Sequence, residues 1–398
     1  MIYTANPILN RVLDGERLSA SDAIKLMEEA DLLDLAYAAK TIQRKLHPKS
    51  EPITYCVQRN INYSNVCTAK CTFCAFYTFP GVEQQHNPAY VNDYETVIKP
   101  KIDELIAIGG TEILFQGGHN PDLGLDYYTD LFSRIKKDFP EITCHALSPS
   151  EINHIAEKMI TPAEKYGDGT NLKNIDVPSE ADLRYVLQEL KKSGMDSLPG
   201  AGAEILTERV RKIIAPYKIT TERWLKIMEI AHNLGMRASA TMMYGHVETY
   251  EDRIQHLAEL RELQDRTNGF TAFVLWNFQR GGTPLGKIMD SMQARAELPE
   301  YNINSSGEDY LRSLAVARLF LDNFENFQAS WVTQGHEIGQ LSLNFGCNDL
   351  GGTMMEENVV SAANTSYQSS VAYMEYLIKK AGYQPAQRDT QYNLVEAS

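Results

Sequence analysis

The chain has 398 residues, 43 % of them hydrophobic and 23 % charged, an ordinary composition for a folded globular protein. Its 38 Lys and Arg face 52 Asp and Glu, a formal net charge of −14 that argues against a nucleic-acid partner, because phosphate binding needs a basic face. No apolar run approaches the ~20 residues that span a bilayer, and MIYTANPILNRVLDGERLSASD lacks a basic stretch followed by an apolar core, so no membrane contact and a cytoplasmic location are expected.

Residues 1–50 read as a helical cap. SASDAIKLMEEADLLDLAYAAKTIQRKL opens with Ser19 and Ser21 as candidate N-caps and then repeats apolar residues at helical spacing. From residue 53 the rhythm changes to short apolar or β-branched runs separated by amphipathic segments. Eight such runs are expected as strands: 53–61, 111–116, 141–147, 195–199, 237–244, 271–278, 327–332 and 340–345. Strand–helix alternation implies right-handed crossovers and a parallel sheet, and eight repeats imply a (β/α)₈ TIM-type barrel over 51–350. Residues 351–398 are expected as a C-terminal helical extension. An open doubly wound sheet is disfavoured because no GxGxxG follows an early strand. KMITPAEKYGDGTNLKNIDVPSE (158–180) is long and turn-rich, and reads as a surface insertion.

Unusual residues collect just after the strand candidates: Gly117 to Asn120, His145 and Ser148, Pro199, Gly200 and Glu204, Gly245 to Thr249, Trp276, Gln279 and Arg280, then Thr333 to His336, and Asn348 with Asp349. All would lie at the C-terminal mouth of a barrel, where such folds carry their active sites.

Six cysteines are present. Cys56, Cys144 and Cys347 stand alone and are expected as small buried hydrophobes. Cys67, Cys71 and Cys74 form C-x₃-C-x₂-C. In a reducing compartment such clustering points to metal or redox chemistry before disulfides. Three thiolates can hold three irons of a [4Fe–4S] cluster and leave the fourth iron open. A zinc site would need a further ligand, the nearest being His86, and zinc motifs more often pair CxxC units.

With Phe73 before its third cysteine, this motif resembles the signature of the radical S-adenosylmethionine (SAM) superfamily. NYSNVCTAKCTFCAFY, LFQGGHNPDLGLDYY, HALSPSEI, DSLPGAGAEIL, TMMYGHVET and FVLWNFQ resemble the branch that holds menaquinone-pathway enzymes and deazaflavin (FO) synthases. ASWVTQGHEIGQLSLNFGCNDLGGTMMEENVVSAA is similar to the dehypoxanthine futalosine cyclase family. The resemblance implies a [4Fe–4S] cluster bound by Cys67, Cys71 and Cys74, SAM on the open iron, an external one-electron reductant and a small-molecule substrate. The implied reaction is hydrogen abstraction from the ribose of dehypoxanthine futalosine, addition to its benzoate ring, and loss of one electron and one proton.

By the same resemblance, the Gly117 and Gly118 backbone meets the SAM amino group. Phe73 and Tyr77 are candidates for the adenine and Glu204 for the SAM ribose, with core packing and a helix first turn as their plainer roles. Glu248 and Thr249 are either a SAM contact or a helix start. His145 and Ser148 are candidates for the substrate wall, and Arg280 for the substrate carboxylate or else a surface arginine. Two departures from the family stand out: the 158–180 insertion, and Thr78 where an arginine usually follows CAFY. The competing functions are an FO synthase component, an aminofutalosine synthase, an iron–sulfur redox sensor and a structural barrel.

Overall fold

The computed structural model describes residues 4–48, 51–82, 87–171, 175–364 and 367–395. The N-terminal part folds as three helices, Pro7–Leu13, Ala20–Glu29 and Leu32–Leu46. Asn6, Ser19 and Asp31 start them by accepting otherwise unpaired first-turn N–H groups; Ser19, not Ser21, caps the second. Leu26, Leu35 and Ala38 are fully buried where this layer packs on the later helices Tyr250–Thr267 and Gly307–Phe320.

Ten parallel strands are present among the described residues: β1 (Ile53–Cys56), β2 (Gln58–Asn62), β3 (Glu112–Gln116), β4 (Thr143–Ala146), β5 (Ser197–Leu198), β6 (Arg237–Tyr244), β7 (Phe270–Asn277), β8 (Asn326–Gln328), β9 (Asp349–Gly352) and β10 (Pro385–Arg388). The run expected as one strand at 53–61 breaks at Val57 into β1 and β2. β1 pairs with β9 on one edge and β10 on the other. β2 pairs with β3, and its second edge meets the residues after β9: Asn60 N–H donates to Met355 O at 2.9 Å and Met355 N–H to Gln58 O at 3.3 Å. Pairing then runs from β3 through β9 in order. The ring therefore closes through residues 53–62 as the expected TIM-type α/β barrel, with β10 wedged beside β1.

Strand periodicity decides what faces the lumen. In β7, Val274 and Trp276 line the central cavity while Phe273 and Leu275 pack outward into the buried core, and a register shift beside Ala238 brings Thr271 to the lumen as well. Cys56, Cys144 and Cys347 are fully buried, as expected.

One strand expectation fails, and two segments differ from their expected form. QLSLNF (340–345) is not a strand; His336–Ser342 is helical and the chain turns at 343–345. Short apolar runs fit either period, and the strand that completes the ring is instead Asp-Leu-Gly-Gly (β9), fully buried despite its carboxylate. The 351–398 segment holds the expected helix, Val371–Lys380, but also supplies β10 and part of the cavity wall. The 158–180 stretch lies between the helices Pro149–Ile160 and Glu180–Ser193. It is more than a surface loop, since Tyr166 in it is buried and its ring lies 6.5 Å from that of His154. Among the described residues no helix is long and apolar enough to cross a membrane.

Asp349 makes the polar strand β9 tolerable. Its carboxylate accepts Arg388 Nε at 2.5 Å, Thr54 Oγ1 at 2.6 Å and Gly351 N–H at 2.7 Å, tying β9 to β1 and β10. Breaking a buried ion pair from one side strands the other charge, so Asp349→Ala should lower unfolding free energy by about 3–5 kcal/mol. Urea denaturation measures this; a loss below about 1 kcal/mol, the size of an exposed pair, would show that Arg388 is not held as a buried charge.

Candidate active site

β2 delivers the chain into the cysteine loop. The loop is closed by backbone pairing: Cys67 N–H donates to Thr78 O at 3.0 Å and Thr78 N–H to Asn65 O at 2.8 Å. The Thr78 hydroxyl, fully buried, donates to Asn87 O at 2.7 Å. Threonine at this position is thus a structural tie, and an arginine could not occupy that buried place unpaired. Thr72 docks the loop on the body: its N–H donates to Ile214 O at 2.8 Å and its carbonyl accepts Leu285 N–H at 2.8 Å.

Cys67, Cys71 and Cys74 all line one cavity, about 1870 Å³ with its open mouth included. The part of it comparable with ordinary ligand pockets of 300–1,000 Å³ is about 350 Å³, within that range. Burial pushes the Cys67 thiol up to about 11, against the Ala69 and His119 N–H groups, which donate to its Sγ at 3.4 and 3.3 Å. Burial also raises Cys71 and Cys74. Three thiols in one dry place stay neutral unless a cation compensates them. Among the described residues no three His, Cys, Asp or Glu converge so as to hold a single metal ion, and His86 lies outside the described residues. Three neighbouring thiols on one cavity wall could each bind one iron of a polynuclear cluster.

The other strand ends complete the mouth. Gly117 follows β3, and a Cβ there would lie 2.3 Å from the Tyr63 ring; at Gly118 it would lie 2.4 Å from Val66 O and 2.5 Å from Cys67 Cβ. Only glycine lets β3 approach the cysteine loop this closely. Phe73 and Tyr77 line the cavity, with Lys218 Nζ 5.4 Å from the Phe73 ring centroid. Glu204 also lines it, in the left-handed region (φ +44°), pairing with Lys218 at 2.8 Å through Oε1 while its buried Oε2 has no hydrogen-bond partner among the described residues. Burial works to lower the Lys218 ammonium, but Cys71 and Glu204 outweigh it and the group is raised.

His145 and Ser148 face the same cavity. His145 lies between the hydroxyls of Ser197 (2.7 Å) and Ser239 (3.3 Å), and burial lowers its pKa, so it is neutral. Ser148 caps the helix Pro149–Ile160 in a reciprocal box with Glu151, whose other oxygen accepts the Tyr63 hydroxyl at 2.6 Å.

Two candidates fall elsewhere. Glu248 is fully buried outside the cavity lining, accepting N–H groups of Gly245 (2.7 Å) and His246 (2.8 Å) and pairing with Arg253 at 2.9 Å. Burial would raise its carboxyl, but His246 and Arg253 hold it far below the usual range. Arg253 is itself bound to Asp309 and Asn302, so the cluster shapes the 245–249 turn from behind. Thr249 is the N-cap of Tyr250–Thr267. Arg280 also lies off the cavity lining: its guanidinium donates to Ile303 O at 3.1 Å and Asp290 at 2.5 Å.

The structure adds lining residues that the sequence did not single out one by one. Lys218 sits in an ordinary-looking connection, and the far wall includes Trp331, Met354, Glu357, Val359, Val360 and Arg388. Glu357 accepts the N–H groups of Val359 and Val360 and the Asn60 side-chain amide, which fastens this wall to β2.

Residues 61–260 match the radical SAM superfamily, and residues 267–398 match the CofH/MqnC C-terminal region. The chain is 45 % identical over 389 residues to the cyclic dehypoxanthine futalosine synthase of Halalkalibacterium halodurans (98 % of this chain, 94 % of the relative). It is 41 % identical to the Streptomyces coelicolor enzyme of that name (97 % and 88 %). A 5-amino-6-(D-ribitylamino)uracil–L-tyrosine 4-hydroxyphenyl transferase of Methanosarcina mazei is more distant, at 34 % (100 % and 94 %). Among solved structures, the FeFe-hydrogenase maturase HydG from Carboxydothermus hydrogenoformans shares the fold, with TM-score 0.68 and 13 % identity over 97 % of this chain and 80 % of that one. The chain therefore belongs to the radical SAM superfamily, in the group that carries the CofH/MqnC C-terminal region.

Proposed function

We propose that the protein is a cyclic dehypoxanthine futalosine synthase, converting dehypoxanthine futalosine to its cyclic form with SAM as oxidant, in the cytoplasm. The observation that carries this is the 45 % identity over 98 % of the chain to an enzyme of that name, with transferase relatives lower, at 34 % over the whole chain and 39 % over 86 % of it. The N-terminal cap (1–50), the barrel (51–350) and the C-terminal extension (351–398) serve as one catalytic unit.

The residues fit the family's cofactors. Cys67, Cys71 and Cys74 would hold a [4Fe–4S] cluster, whose irons supply the compensating charge that three buried thiols lack. When bound, the cluster and SAM supply a 5′-deoxyadenosyl radical, the hydrogen-abstracting agent. The orphan Oε2 of Glu204 offers an acceptor to ribose hydroxyls, Lys218 offers a cation to a carboxylate, and the Gly117–Gly118 backbone offers polar groups at close range. Phe73 and Tyr77 provide aromatic faces. His145, its two ring nitrogens engaged by the Ser197 and Ser239 hydroxyls, presents its ring to the substrate side, together with Ser148. The wall of Trp331, Val359 and Val360 excludes water from the reacting carbons, and cyclisation depends on that positioning more than on acid–base power.

Anaerobic reconstitution followed by SAM, a strong reductant and dehypoxanthine futalosine tests the proposal. The expected outcome is 5′-deoxyadenosine together with a product two hydrogens lighter than the substrate. Deoxyadenosine with the substrate unchanged, and product formed instead from tyrosine plus ribitylaminouracil, would overturn it. Gly118→Ala forces Cys67 aside and should reduce bound iron and sulfide after reconstitution by more than half; full incorporation would disprove the close-approach role. Arg280→Ala should leave turnover within about twofold, because its guanidinium is engaged with Asp290 and Ile303, an exposed-pair contribution of 0–1 kcal/mol. A loss of a hundredfold or more would reinstate it as a substrate ligand.

A further inference from the structure

The cavity reaches the end of the barrel opposite the cysteine loop. In β3, Glu112, Leu114 and Gln116 face the cavity while Ile113 and Phe115 pack outward. The lumen therefore runs from Gly117, beside the thiols, down to Glu112, the first residue of the strand. Barrels of this kind ordinarily fill the lumen with layers of bulky branched side chains. Here Glu112, His145, Ser239 and Gln328 face it instead, and a polar lumen of this kind takes in water from below unless its base is covered.

The end of the chain covers it. After β10, residues 388–395 fold back as a tight turn. Asp389 N–H donates to Asn393 O at 2.9 Å, and the Asp389 carboxylate accepts the N–H groups of Gln391 (2.8 Å) and Asn393 (2.9 Å). Three strands hold this turn in place. Arg388 is paired with Asp349, the first residue of β9, and Thr390 Oγ1 donates to Glu112 at 2.6 Å. From β8, Gln328 Nε2 donates to the Tyr392 hydroxyl at 2.8 Å. Arg388, Thr390 and Tyr392 line the cavity, whereas Gln391, Asn393 and Leu394 are exposed. The turn is thus a single layer with the lumen on one side and solvent on the other. The Tyr392 ring centroid lies 4.1 Å from the Arg388 guanidinium, and Tyr392 holds φ +68°, a conformation that a tyrosine keeps only where its contacts impose it.

We propose that residues 388–394 are the floor of the reaction chamber, and that Tyr392 is the positioning residue that closes the lumen to water and small solutes and limits how deep the substrate sits. This rests on the cyclase reading above. A carbon radical on the substrate has two fates. Addition to the benzoate ring forms the new C–C bond. Alternatively, the radical takes one electron from a small reductant, which is oxidised by one electron, and one proton from water, which restores a C–H bond and returns the substrate. The floor withholds the reductant and the water and leaves ring addition.

The test uses reconstituted protein in D₂O with SAM, dithionite and dehypoxanthine futalosine. The unaltered protein should form 5′-deoxyadenosine and cyclic product in equal amounts and leave the remaining substrate free of carbon-bound deuterium. Tyr392→Ala should raise the ratio of deoxyadenosine to product about threefold and place deuterium in the recovered substrate. Tyr392→Phe keeps the ring over Arg388 and should behave as the unaltered protein. An unchanged ratio with undeuterated substrate in Tyr392→Ala would overturn the floor. A second measurement needs no substrate: diethyl pyrocarbonate acylates neutral imidazole, and His145 lies inside the lumen. With SAM bound, and with His47 of the N-terminal cap as internal reference, His145 should be labelled about tenfold faster in Tyr392→Ala and in a chain ending at Arg388 than in the unaltered protein. Equal labelling rates would overturn the floor even where the variants turn over poorly. Faster labelling in both variants, with no consumption of dehypoxanthine futalosine by the unaltered protein, would instead count against the assigned substrate and leave the floor standing.

Discussion

The structure turns on the ten residues 53–62, which are paired along both edges. One edge of β2 takes β3 and the other takes the Gln58–Met355 and Asn60–Met355 hydrogen bonds, so one short run closes the ring. Backbone groups inside a barrel wall have no water to fall back on, and each must find a partner in the neighbouring strand. Satisfying both edges fixes where residue 62 ends, and the cysteine loop starts there. It also fixes where the chain emerges from β9, since residues 353–357 lie against the same strand. The thiols and the far wall are thus placed across a shared cavity by one set of pairings.

Around that cavity the charges are buried in matched sets. Arg253 meets Glu248 and Asp309, Arg388 meets Asp349, and Lys218 meets Glu204. Burying an ion is costly unless geometry returns the loss, and each of these groups has at least one direct partner. The three thiols stand apart. Burial raises all of them, and the opposing contributions, a few N–H groups and Lys218, do not offset it. Among the described residues none is a direct cationic partner to them, and a bound metal group would supply that compensation. Backbone strain points the same way: Lys70, Glu204, Met354 and Glu356 hold positive φ in loops beside the site, where tertiary contacts outweigh local preference.

Much of this was legible in the sequence, and the reasons are particular. The C-x₃-C-x₂-C spacing is local, so the thiols needed no fold to be paired with one another. The alternating strand and helix runs announced the barrel because each crossover must bury one face. Gly117 and Gly118 were marked as backbone positions, and the close approach to Tyr63 and Cys67 explains them. The failures share a cause: they depend on partners far along the chain. β9 reads as a polar turn until Arg388 and Thr54 neutralise Asp349, and QLSLNF reads as a strand because its apolar spacing fits both periods. Glu248 looked like a ligand because its loop sits at the mouth, yet its carboxylate is consumed by Arg253 and two backbone N–H groups. Arg280, a candidate for the substrate carboxylate or else a surface arginine, has Asp290 as its carboxylate partner, off the cavity lining. Lys218 had no motif to mark it and becomes visible only when Glu204 is brought beside it.

The division of the cavity lining follows from the same geometry. The thiols, both glycines, Glu204 and Lys218 come from residues 67–218, whereas Thr271, Trp276, Trp331, Glu357, Val360, Arg388 and Tyr392 come from the last third of the chain. The first set is charged, sulfur-bearing and tightly coupled, so a change at one position disturbs several others. The second set is mainly apolar or internally paired, and its side chains meet the lumen from separate strands and from the segment after β9. Such a wall can be reshaped one residue at a time without disturbing the thiols. The lining is thus divided along the chain between an earlier part that bears the thiols and a later part that forms the far wall, while relatives of different names align with nearly the whole of this chain.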